Sequence, residues 1–171
     1  FLKGTKGMAY KVLIILLLIS KCTTANAFED YSFLNGEWFC KMKSVLPNDA
    51  ILEVDSHITT SIKDLNSYSK SFFKFYFKQN PDLVSVISVE SSEKMDFEGD
   101  IMISFNSKTH KTNLIKDDLN IFSPESVKSF TRGPSVTVKS KIKKIDDETI
   151  KLIGIPDKDV INCSKAQKSA V

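Results

Sequence analysis

Chemistry in this chain would have to come from three sets of side chains: Cys40 with Cys163, the histidines His57 and His110, and the aromatic set Trp38, Phe73, Phe75 and Phe77. In an oxidising compartment an isolated cysteine pair in a small secreted chain is most simply a disulfide. Two buried free thiols are the rival, and a metal site shared with two distant histidines is more remote. A disulfide closing so long a loop stabilises by up to ~4–5 kcal/mol on the chain-entropy account. His57 falls on the polar parity of an expected strand and His110 in a lysine-rich turn, so both read as solvated or structural histidines. No Gly-x-Ser-x-Gly, His-Glu-x-x-His or phosphate-cradling glycine loop occurs. The glycines after residue 27, at 36, 99, 133 and 154, are scattered. Asp117-Asp118 and Asp146-Asp147-Glu148 read as turn residues, since a calcium loop needs ligands at alternating positions. The expectation is a protein with no catalytic residues, no metal and no cofactor.

The aromatic set carries the most information. On a strand over 71–78, Phe73, Phe75 and Phe77 face one way, and with Trp38 they would line an apolar ligand cavity. The plainer reading is that they fill a solid core. Lys139, Lys141 and Lys143 form a positive stripe on one strand parity, followed by Lys144. It reads as solubilising edge charge, with a docking patch for an acidic partner or anionic lipid as the alternative.

The leader places these residues in a compartment. Met8-Ala9-Tyr10-Lys11 is a short basic start, residues 12–19 are an unbroken apolar run, and Ala25-Asn26-Ala27 puts small residues at −3 and −1. That is the anatomy of a secretory signal peptide cleaved before Phe28. The run spans only ~12 Å as a helix against a ~30 Å hydrocarbon core, which argues against a transmembrane anchor. Lys21 before Cys22 argues against a lipidation site. Residues 1–27 are therefore expected to be a remnant upstream of the initiator plus a cleavable leader, with one β domain over 28–171. The leader holds four lysines and no acids, so 20 basic side chains remain of 24, against 21 acidic. A net charge of −1 offers no positive footprint for nucleic acid.

The rest of the chain supplies strands. Trp38, Cys40 and Met42 alternate with Glu37, Lys41 and Lys43, the period of a half-buried strand. Leu52, Val54, Ile58 and Ile62 share a parity after the Pro47-Asn48-Asp49 turn. Residues 71–78 read as a strand because aromatics favour pleated surfaces, although Leu65, Tyr68, Phe72 and Tyr76 also stand at helical spacing before Asn80-Pro81. Residues 83–90 are expected to be a buried strand and 91–94 a turn. Phe97, Gly99, Ile101, Ile103 and Phe105 share a further parity, with Gly99 at a bulge or bend. Lys116-Asp117-Asp118, between Leu114-Ile115 and 119–122, signals a tight hairpin. Ser123-Pro124 would cap one turn of helix, and 136–145, 149–155 and 159–163 complete the set. Short strands without a crossover helix predict an all-β antiparallel barrel or closed sandwich of 8–10 strands.

Leu34-Asn35-Gly36-Glu37-Trp38 resembles the Gly-x-Trp opening of lipocalin-type barrels, where the tryptophan closes one end. Gly36-x-Trp38-x-Cys40 with the terminal Ile161-Asn162-Cys163-Ser164 is similar to small secreted bacterial lipocalin-like (calycin-type) proteins, and residues 142–152 look like their penultimate hairpin. The resemblance implies adjacent, disulfide-linked first and last strands. Joining the ends would also hide both sheet edges.

The expected function is a non-enzymatic barrel, periplasmic or secreted and monomeric, that binds a small apolar ligand or envelope component through Trp38, Phe73, Phe75 and Phe77. The alternative is a protein-binding module such as a periplasmic immunity or inhibitor protein. Nucleic acid and a transmembrane span are not expected.

Overall fold

The computed structural model describes residues 30–131 and 136–166, so the expected leader, with Cys22, and its expected cleavage site lie outside the described residues. Eight strands follow in order: β1 (Gly36–Val45), β2 (Ala50–Ser61), β3 (Asn66–Phe77), β4 (Asn80–Glu98), β5 (Ile101–Asp117), β6 (Val138–Lys144), β7 (Thr149–Ile155) and β8 (Val160–Lys165). Each pairs antiparallel with the next, and β8 returns to β1, closing a barrel. Between β5 and β6 lies one helix, α1 (Pro124–Thr131). No helix among the described residues is long and apolar enough to cross a membrane.

Closure is set where the alternation on β1 meets that on β8. Cys40 stands opposite Cys163 in the ladder and the two form a disulfide. Trp38, Cys40, Ile142, Ile150, Leu152 and Cys163 are all buried in one cluster. Before β1, a 3-10 turn (Ser32–Leu34) folds under this end of the barrel. Gly36 enters the strand at φ 110°, a conformation that L side chains rarely adopt. Tyr31 pins the turn by stacking on Phe97, centroids 4.2 Å apart, and by donating its hydroxyl to the Gly99 carbonyl at 2.8 Å.

The barrel is lopsided. β4 runs 19 residues and β5 17, whereas β6, β7 and β8 run 7, 7 and 6. β5 pairs with β6 only from Ile101 to Ser104, so the far halves of the long strands project beyond the closed ring. Segment 118–131 covers the inner face of this projection. Phe122 packs on Phe75 (5.5 Å) and Phe130 on Phe73 (6.4 Å), giving a second apolar cluster.

Several local expectations change. Residues 71–77 belong to a strand that starts earlier, at Asn66, and ends before Lys78, and the helical spacing of Leu65, Tyr68, Phe72 and Tyr76 is not used. Residues 91–94 are not a turn, for β4 continues through them. Their polarity is satisfied on the strand: Ser69 and Ser91 hydroxyls lie 3.0 Å apart, and Ser67 donates to Glu93 at 3.2 Å. Register shifts after Glu90 and Ser92 absorb the irregularity. Gly99, at φ 62°, sits in the tight turn joining β4 to β5 rather than in a bulge.

Residues 119–122 form no strand, so the expected hairpin is absent. The Asp117 carboxylate instead accepts the backbone N–H groups of Ile121 and Phe122, both at 3.1 Å, and the Ser85 hydroxyl at 2.6 Å. An acidic side chain bonded to the following backbone turns the chain by itself. The helix is longer than one turn, and it is capped as expected by Ser123 Oγ, which accepts the Ser126 N–H at 3.1 Å.

Candidate functional site

The barrel interior holds a cavity of about 240 Å³ at the Trp38 end. Its floor is Leu34, Trp38 and the disulfide, its walls include Ile58, Met95, Met102 and Leu152, and the half-exposed Val138 also borders it. Each wall residue is placed by strand pairing. Trp38 stands opposite Ile58, Met102 opposite Ser140, and Ile150 opposite Cys163, so one inward row supplies the lining. Trp38 is held rigidly. Its Nε1 donates to the Leu34 carbonyl at 2.8 Å, and the Lys165 ammonium lies 5.5 Å from its ring centre.

Polar groups converge on one side of the apolar space. Thr60, Ser67, Glu93, Ser104 and Ser140 complete the lining. Glu93 Oε1 accepts hydroxyl hydrogen bonds from Ser67 at 3.2 Å and Ser104 at 3.1 Å. Burial pushes the Glu93 carboxyl above its ordinary value, and the two serines only partly offset this. Apolar walls with a few converging polar atoms are the general form of a small-molecule site.

The four aromatic residues expected to line one cavity are not brought together. Trp38 forms the floor. Phe73 and Phe75 share its interior face but lie in the projection, against Phe130 and Phe122. Phe77, at the end of β3, is 36% exposed. The reason is strand length, because residues of one parity on a long strand can serve two different clusters. The polar members Ser67, Glu93 and Ser104 escaped the sequence reading. Treating 91–94 as strand would have put Glu93 on the parity of Met95 and Phe97 and pointed it inward.

The histidines lie on the outer surface. His57 stacks on Phe39 at 4.7 Å with Nε2 3.3 Å from Glu37, and His110 Nε2 sits 2.8 Å from the Ser92 hydroxyl. Among the described residues no three metal-ligating side chains gather.

No protein-family model matches the chain, and no curated protein is significantly similar to it.

Two further surfaces bear on binding. Lys139 and Lys141 of the positive stripe reach Glu98 (3.8 Å) and Asp100 (2.8 Å) at the β4–β5 turn. Exposed pairs of this kind contribute little, roughly 0–1 kcal/mol. On the outer face of β1 to β3, Lys43 bonds both Glu53 and the Tyr76 hydroxyl at 2.9 Å, while Tyr76 donates to Glu53 at 2.7 Å. Hydrogen bonds from Lys43 and Tyr76 hold the Glu53 carboxyl below its usual range, and the same network raises the Lys43 ammonium.

Proposed function

We propose that this protein is a non-enzymatic, extracytoplasmic, lipocalin-like barrel that binds a small, mostly apolar molecule beside Trp38. The observation that carries the reading is the 240 Å³ cavity with apolar walls and polar groups on one side. A dry cavity of roughly 150 Å³ is enough for benzene, while drug-sized ligands occupy roughly 300 Å³ or more. The occupant is therefore a single-ring or short-chain compound. The lipocalin-like assignment is supported by the Gly36-x-Trp38 opening, and export to the periplasm or beyond by the leader-like start and the disulfide. Native mass spectrometry of residues 28–171 tests the function. A retained adduct, or uptake of single-ring compounds with one-to-one stoichiometry, is expected; no adduct and no uptake would overturn it.

A second reading has its own support. Phe39, Tyr68 and Phe72 are 47%, 44% and 40% exposed on the outer face of β1 and β3. Lys41, Lys70 and Lys74 share that face. Exposed aromatics among lysines suit a protein partner, such as a secreted hydrolase or toxin held in check. Loss of a co-purifying protein from Phe39→Ser/Phe72→Ser, with the cavity untouched, would favour this reading.

A further inference from the structure

Among the described residues Glu93 is the one ionisable group lining the cavity. Its Oε1 is occupied by Ser67 and Ser104, whereas Oε2 accepts no hydrogen bond from the described residues. It also has no ion pair within 4 Å among them, unlike Glu53 and Glu90, which face lysines on the outer surface. Lys94 and Lys108 border a shallow depression that Glu93 and Ser67 also reach, yet neither ammonium pairs with the carboxylate. A carboxylate partly withdrawn from water without a counter-charge is destabilised, so a cation brought by the ligand stabilises the complex.

We propose that the ligand is a primary amine on a single-ring apolar body, its ammonium bonded to Glu93 Oε2 and its ring against Trp38 and Met102. This rests on the cavity being the binding site and adds the class of ligand. The serines fix the carboxylate, because two hydroxyls bonded to one oxygen leave the other without a hydrogen bond from the described residues. Ser140, Thr60 and the Met95 sulfur lie in the same lining and offer an ammonium further acceptors. A neutral ligand of the same shape would leave Glu93 without a counter-charge. An anionic one would place like charge beside it.

The test compares 2-phenylethylamine, 2-phenylethanol and 3-phenylpropionate by calorimetry at neutral pH. The amine is expected to bind at least about tenfold more tightly than the alcohol, as charge-assisted hydrogen bonds are roughly twice as strong as neutral ones. The acid should bind most weakly. In Glu93→Gln the amine's advantage should fall below about threefold while the alcohol is unaffected. Should the variant fail to fold, the wild-type amine-to-alcohol ratio decides alone. Alcohol binding as tight as amine binding would overturn the amine assignment and leave the cavity reading standing. Binding of none of the three would remove both.

Discussion

Cys40 and Cys163 face each other across the β1–β8 ladder with Cα atoms 4.0 Å apart, and both border the interior cavity. The covalent link thus lies where the barrel closes and also forms part of its floor. Without it, β8 is held to β1 by the short ladder from Trp38 to Lys41 and by the Ala166 N–H donating to the Glu37 carbonyl at 3.0 Å. Removing the bond in Cys40→Ala/Cys163→Ala should cost about 2–5 kcal/mol, read as a fall in the denaturant midpoint. Ellman titration of unfolded, unreduced residues 28–171 should find no free thiol. Two free thiols would show that the seam is not covalent.

Trp38 joins the floor to the 3-10 turn beneath it. Trp38→Ala removes a side chain only 3% exposed and should cost about 3–5 kcal/mol in chemical denaturation. Trp38→Phe keeps most of the apolar bulk but leaves the Leu34 carbonyl without its donor, for a loss of about 1–3 kcal/mol. A loss below 1 kcal/mol for Trp38→Ala would place the indole in solvent.

The closed barrel was largely legible in the sequence, and the lopsidedness was not. Alternation at Trp38, Cys40 and Met42 marks an inward face directly, and the two cysteines mark the strands that must meet. The failure at 91–94 has a physical cause. Polar residues inside a barrel that bond one another, as Ser69 does Ser91 and Ser67 does Glu93, are indistinguishable in sequence from polar residues in a turn. The failure at 119–122 is similar, since Leu119, Ile121 and Phe122 look like a strand until Asp117 is seen accepting the Ile121 and Phe122 N–H groups and Ser85 Oγ that of Leu119. Phe73 and Phe75 were correctly placed on one face, but nothing local shows that strands of unequal length give that face two clusters. Glu93 was hidden by the same error that made 91–94 a turn.

Glu93 also sets a pH dependence. Its folded-state pKa is raised above the ordinary 4.5, with burial the main cause. From about that value up to the raised one, the native state holds more protons than the unfolded state, so stability contributed here falls as pH rises. Carboxylates held low, such as Glu53 and Asp117, act oppositely and are lost toward acid. The difference between wild type and Glu93→Gln isolates the first effect. Glu93→Gln should be the more stable at neutral pH, with the gap closing toward pH 4. A gap that is constant with pH would mean that Glu93 titrates normally.

Helix α1 is attached to the projection through Phe122 and Phe130, whose rings lie 6.1 Å apart. Phe130→Ala should cost about 1–3 kcal/mol through lost apolar burial and aromatic contact. The damage should be local. Hydrogen exchange would show lost protection over 124–130 with β1, β7 and β8 unchanged. Uniform loss would mean that helix and barrel unfold as one unit.

The central claim, that the space beside Trp38 receives a small molecule, is tested most directly by fluorescence. Trp38 is the only tryptophan in the chain and it borders the cavity, so its emission reports on that site alone. Titrating residues 28–171 with 2-phenylethylamine should give a saturable, one-to-one change in an initially blue-shifted emission. Glu93→Gln should shift the midpoint to higher concentration. A solvent-like emission that does not respond to any single-ring compound would contradict the account.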